Sequence, residues 1–194
     1  MKEIIQWFES VDPVMAAFAA TSFTWFATAA GASLVFFFKS LNRAVLDIAL
    51  GFTGGVMVAA SVWSLIMPAL EMSEGTGFDK VGPTVIGFLL GALFIFALDK
   101  LIPHIHLNYE KVSEAEGPKT KMNKTLLLVM AITLHNIPEG LAVGVLFGGV
   151  ASGVEGATIG GAVALALAMA IQNFPEGFAV SMPLRRQGMK RGKS

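Results

Sequence analysis

Two glutamates lie where a carboxylate is costly to keep. Glu139 is the only charged residue in 125–154, and Glu176 is the only one in 156–184; both stretches are otherwise apolar or weakly polar. At the centre of a bilayer a carboxylate costs about 2.5–3.5 kcal/mol on insertion scales, so one that persists there has a function and a partner. The common partner is a Lys or Arg in a neighbouring span. None occurs in 13–38, 48–70, 81–98, 125–154 or 156–184. Either protons or a bound cation must neutralise these two acids.

Their neighbours favour a cation. His135 and Asn136 precede Glu139 by four and three residues, which places all three on one face of a helix. Gln172, Asn173 and Glu176 repeat that geometry. One imidazole, three amide oxygens and two carboxylates make a mixed nitrogen and oxygen set suited to Zn²⁺, Fe²⁺, Mn²⁺ and similar ions. A permanent structural zinc site would more often use Cys and His, and the chain has no cysteine. Weaker ligands suit an ion that has to leave.

Pro138 and Pro175 stand one residue before the two glutamates. Proline cannot supply the amide hydrogen owed to the carbonyl four residues back, so the Leu134 and Ile171 carbonyls are expected to be freed beside the polar groups. In lipid such carbonyls are tolerated where they line a cavity or bind an ion. The two clusters form an internal repeat: HNIPEGLAV (135–143) and QNFPEGFAV (172–180) share six of nine positions.

The elements that carry these residues are membrane spans. The chain has 194 residues, only 14% of them charged, with mean hydropathy +0.66. A soluble domain carries about 25% charge. About 20 apolar residues in a helix cross a ~30 Å hydrocarbon core, and five stretches qualify. The expected fold is an all-α integral membrane protein, a single transmembrane domain over 1–194 with spans at about 13–38, 46–70, 81–103, 125–149 and 157–184. The polar metal site lies between the fourth and fifth. Buried helices of a soluble domain would show a polar face at 3.6-residue period, and these do not. A cleaved signal peptide fits poorly, because the first apolar run is too long and Glu3, Glu9 and Asp12 precede it. Trp7 is placed to anchor at an interface.

Net charge is zero, but the charges segregate. Twelve of the fourteen basic residues fall after the first span, in the 104–124 loop region or in the tail, all on one side; Lys2 and Lys80 fall on the other. The positive-inside rule then puts the amino terminus outside, and the 104–124 loop and basic tail in the cytoplasm, in a multi-pass protein of the cell membrane. Glu3, Glu9, Asp12, Glu71, Glu74, Asp79 and Glu155 make the outer face acidic, which would concentrate cations there. Glycines at four-residue spacing (Gly87 and Gly91; Gly140, Gly144 and Gly148; Gly156 and Gly160) suggest that the last two spans pack closely against other helices.

HNIPEG and QNFPEG, preceded by GGVMVAASVWSLIMPALE in the second span, resemble the ZIP metal transporters, particularly the bacterial GufA-like branch. The resemblance runs from the first span to the basic tail. It implies transport of a divalent metal, zinc above all and also the iron, manganese and cadmium class, into the cytoplasm. The implied ligands are His135, Asn136, Glu139, Gln172, Asn173 and Glu176, with Met57 offering a thioether. Zn²⁺ would be cargo, not cofactor. The expected partners are the ion and the bilayer; a homodimer is left open, and no nucleic acid is expected. Relatives often carry a carboxylate where this chain has Asn173, which weakens a second metal position. The family has eight helices, the last three mirroring the first three, and this chain corresponds to the first five.

Other readings explain less. A proton-coupled carrier or channel of another class would use the two glutamates but not the amides and imidazole beside them. An intramembrane metalloprotease lacks H-E-x-x-H, so no enzyme is expected. A purely structural subunit has no use for ionisable groups at mid-depth. His104 and His106, after the third span, are either receivers of released metal or interfacial histidines.

Overall fold

The computed structural model describes residues 2–38, 42–105, 113, 115–186, 190 and 192. His106, with 107–112 and 114 of the loop, and most of the tail after Arg186 lie outside the described residues. Among those described there is no strand, only one isolated backbone bridge.

Among the described residues seven α-helices follow one another: α1 (Lys2–Ser10), α2 (Pro13–Ser33), α3 (Arg43–Ala60), α4 (Met67–Met72), α5 (Phe78–Leu101), α6 (Lys124–Ala151) and α7 (Ile159–Arg186). Among the described residues five helical stretches are long and apolar enough to cross a membrane: Pro13–Phe36, Ala44–Met72, Phe78–Leu101, Thr125–Ala151 and Ile159–Met182. The protein is therefore a multi-pass, all-α membrane protein. The ends differ from the sequence reading by a few residues. The third span starts at Phe78 because Gly77 (φ 60°) turns the chain into the helix there, and it stops at Leu101, shortly before Pro103.

Local sequence sets the starts. Asp12 caps α2, its Oδ1 accepting from the amides of Val14 (2.9 Å) and Met15 (3.4 Å), with Pro13 at the first helical position. Asn42 caps α3 through Ala44 (2.9 Å), and Asn123 accepts from Leu126 at the head of α6 (2.9 Å). Between α3 and α4 the helix continues without a break but widens to π geometry over Ser61–Ile66.

The described residues fall into two compact units, Met1–Met72 with Leu141–Ser194, and Ser73–Gly140. The division falls within α6.

In the first unit α7 is the central helix, packed against α2 and α3. Small residues make this possible. Ala16 and Ala20 of α2 join Ala162, Leu165, Ala166 and Met169 of α7 in a core completed by Val143, Phe147 and Ala60. Phe8 of α1 packs on Phe147, ring centroids 5.4 Å apart. The closest approach is backbone to backbone. A Cβ on Gly31 would lie 1.8 Å from the Phe174 carbonyl oxygen, and one on Gly177 would lie 2.0 Å from that of Thr28. These two glycines, not the four-residue rows, bring helices into contact. Gly87, Gly91, Gly140, Gly144, Gly148 and Gly160 have nothing within 4 Å of a built Cβ, and Gly156 is a turn residue at φ 81°. The periodicity was real, but only a structure shows which glycines a neighbour reaches.

The second unit holds α5, the return of the following loop and the first part of α6. α5 exposes Phe88, Leu89, Leu90, Leu93 and Phe96, a surface suited to lipid. Beyond it, His104 and Glu116 form an antiparallel backbone pair (3.1 and 2.9 Å), and the Ile105 amide donates to the Leu127 carbonyl (3.3 Å). Ile105, Leu127 and Leu128 are buried there.

Candidate metal centre

α6 runs helically through Pro138, which gives no amide hydrogen to Leu134. One turn of it carries His135, Asn136 and Glu139. His135 Nε2 lies 3.4 Å from Glu139 Oε1; the glutamate side chain is 10% exposed and the imidazole 40%. The spacing predicted that these groups share a face, and the structure places them so. Asn136 is half-buried, and its Oδ1 is buried without a hydrogen-bond partner among the described residues. Acceptors sealed from water normally find a donor.

The second cluster lies on α7 in the first unit. Gln172 and Asn173 are buried and Glu176 is half-buried. Gln172 Nε2 donates to Asn173 Oδ1 and lies 3.9 Å from Met169 Sδ. Asn173 Nδ2 in turn reaches the Thr24 carbonyl of α2 at 3.5 Å. The Asn173 amide is thus engaged at both ends, between its neighbour and the adjacent helix. On α3 the buried Thr53 hydroxyl donates to the Gln172 carbonyl at 3.4 Å, next to the carbonyl of Ile171 that Pro175 leaves without an amide. Met57 is half-buried one turn beyond Thr53, so it lies on the face of α3 turned toward α7.

The structure therefore joins His135 to Glu139 within α6, and Gln172 to Asn173 within α7, with Met57 on the α7-facing side of α3. Sequence reasoning missed Thr53, the Thr24 carbonyl, Met169 and the close backbone approaches of Gly31 to Phe174 and of Gly177 to Thr28. Thr53 had a faint signal: it is a polar residue one turn before Met57 in a charge-free span. A backbone carbonyl has none.

His104 is buried, with Nδ1 2.9 Å from the Ile102 carbonyl and Nε2 3.1 Å from Asp99 Oδ1. It is no simple headgroup-facing residue.

No family model matches the chain. Curated proteins do. The chain is 37% identical to the zinc transporter ZIP11 of Homo sapiens over 250 residues, covering 90% of this chain and 73% of that one. It is 39% identical to ZIP11 of Bos taurus, covering 72% of this chain and 62% of the relative. It is 41% identical to the zinc transporter GufA of Myxococcus xanthus, covering 62% and 48%. The chain thus spans about half of the length of GufA and less than two thirds of the bovine protein.

Proposed function

The chain belongs to the ZIP family of zinc transporters, and from that premise we propose that it carries divalent metal, zinc first, into the cytoplasm through ligands on α6 and α7. His135, Asn136 and Glu139 from α6, with Gln172, Asn173 and Glu176 from α7, form the binding set, and Met57 adds a soft thioether. The observation that supports this reading is the buried Oδ1 of Asn136, without a hydrogen-bond partner among the described residues, on the same helical turn as the paired His135 and Glu139 in stretches that hold no Lys or Arg.

The donor set suits passage more than storage. Carboxylate, imidazole and amide oxygens bind zinc without thiolate tenacity. In the Gln172–Asn173 amide pair only the Asn173 oxygen is an acceptor, so an ion bound there would share or replace the contact from Gln172 Nε2. Thr53 and the Thr24 carbonyl hold the backbone and amide of that pair against α3 and α2, and act as positioning groups. Asn173 in place of a carboxylate leaves the set with two negative charges, enough to neutralise one divalent ion.

Orientation follows from the segregated charges: the amino terminus outside, an acidic entry face, and the basic loop and tail in the cytoplasm. The test is zinc entry into liposomes containing the purified protein, followed by a trapped indicator. Uptake above that of empty liposomes, lost in Glu139→Ala, supports the reading. Uptake unchanged in that variant overturns it.

A further inference from the structure

We propose, on the reading that Gln172 is a metal ligand, that Met169 is the positioning residue for it: the Met169 sulfur accepts one hydrogen of the Gln172 amide and so presents the Gln172 side-chain oxygen to the ion. Met169, Gln172, Asn173 and Glu176 stand at i, i+3, i+4 and i+7 of α7, which is one face of that helix. Met169, Gln172 and Asn173 are all buried.

A side-chain amide carries two hydrogens on its nitrogen and its lone pairs on its oxygen, so only the oxygen end can hold a cation. Gln172 Nε2 donates to Asn173 Oδ1 and to Met169 Sδ, the sulfur 3.9 Å away. One contact alone would let the amide pivot about it. Two acceptors on one nitrogen fix the amide plane and leave the oxygen as the end for a cation. The Asn173 amide is held in the same sense, its Nδ2 reaching the Thr24 carbonyl at 3.5 Å. A line of contacts therefore runs from Met169 through Gln172 and Asn173 to the backbone of α2, with each amide nitrogen engaged by a protein acceptor.

Met169 has a second aspect, as part of the core. It packs in a cluster with Ala16, Ala20, Ala60, Leu165 and Ala166, none of which has a polar side chain. Leucine would fill that volume equally well. The thioether adds a weak acceptor to the apolar cluster, on the side where a buried donor needs one.

Zinc and cadmium affinities of the purified chain separate positioning from packing, measured for the parent, Met169→Leu, Gln172→Glu and the double variant. Methionine to leucine conserves volume, a change that cores tolerate, and thermal unfolding of each variant without metal reports any loss of stability. Met169→Leu should weaken zinc binding by about three- to tenfold, the worth of one hydrogen bond. Cadmium binding should fall in the same proportion, because the sulfur does not touch the ion. A carboxylate has oxygen at both ends and needs no aiming, so adding Met169→Leu to Gln172→Glu should leave affinity unchanged. Any packing defect is common to the single and double variants and cannot produce that difference. Three results would each overturn the proposal: unchanged zinc affinity in Met169→Leu, a loss that persists in the Gln172→Glu background, or a loss confined to cadmium, which would make the sulfur a ligand. Failure of the underlying reading looks different, since Gln172→Ala would then bind zinc as the parent does.

Discussion

Replacing Gly177 by alanine puts a methyl group 2.0 Å from the Thr28 carbonyl oxygen and 2.9 Å from its carbon. Both are backbone atoms in the middle of α2, so no side chain can swing aside. Ordinary contact begins near 3.4 Å, and α2 and α7 must separate by about 1.4 Å at this turn. Overpacking typically costs about 1–3 kcal/mol and sometimes more; a clash with a rigid helix belongs at the upper end. At roughly 2–4 °C per kcal/mol for a chain of this size, the melting temperature should fall by about 6 °C or more. The separation also removes the 3.5 Å reach of Asn173 to the Thr24 carbonyl, one turn away, so zinc affinity should drop with stability. The internal repeat supplies the control. Gly140 occupies the matching position in HNIPEG, yet nothing lies within 4 Å of its built Cβ, so Gly140→Ala should be neutral or gain up to about 1 kcal/mol from helix propensity. The assay is thermal unfolding of the purified protein in detergent, monitored by tryptophan fluorescence, with zinc binding measured on each variant. Equal melting temperatures and affinities for the two variants would refute the helix-contact argument.

Three further outcomes follow from the same geometry. Thr53→Val keeps the shape but removes the donor to the Gln172 carbonyl, which should cost about 1 kcal/mol and weaken zinc binding by several-fold; an unchanged affinity would remove Thr53 from the positioning role. Zinc-ligating imidazole and carboxylates must be deprotonated, so binding should release protons and affinity should fall as pH is lowered; a calorimetric heat that is the same in buffers of different ionisation enthalpy would contradict this. Cysteine placed at Thr76 should react with a membrane-impermeant thiol reagent in intact cells and cysteine at Ser113 should not, and the reverse pattern would invert the orientation.

The spans were legible because charge is so costly in lipid that its absence over 20 residues marks them almost unaided. Their ends were less legible, since helix termini depend on caps and turns such as Gly77 and Asp12 more than on hydropathy. Helix α1 escaped notice: Lys2–Ser10 mixes Lys2, Glu3 and Glu9 with Ile4, Ile5, Trp7 and Phe8, an amphipathic pattern that a search for apolar runs passes over. The polar residues of α6 and α7 were evident from type and spacing alone, because few chains keep a mid-span glutamate beside amides and imidazole. Their supports were not. Thr53, the Thr24 carbonyl and the pairing of His104 with Glu116 depend on which distant segments meet. Likewise, Gly31 and Gly177 lie 146 positions apart and share no motif.

The central proposal is that His135, Glu139 and Glu176 are each ligands of the transported ion. Equilibrium zinc binding to the purified chain tests it most directly. Each of His135→Ala, Glu139→Ala and Glu176→Ala should weaken binding by about tenfold or more, at least about 1.4 kcal/mol, and the paired Glu139→Ala, Glu176→Ala variant should bind no zinc. Affinity and stoichiometry equal to the parent in all four would contradict the account.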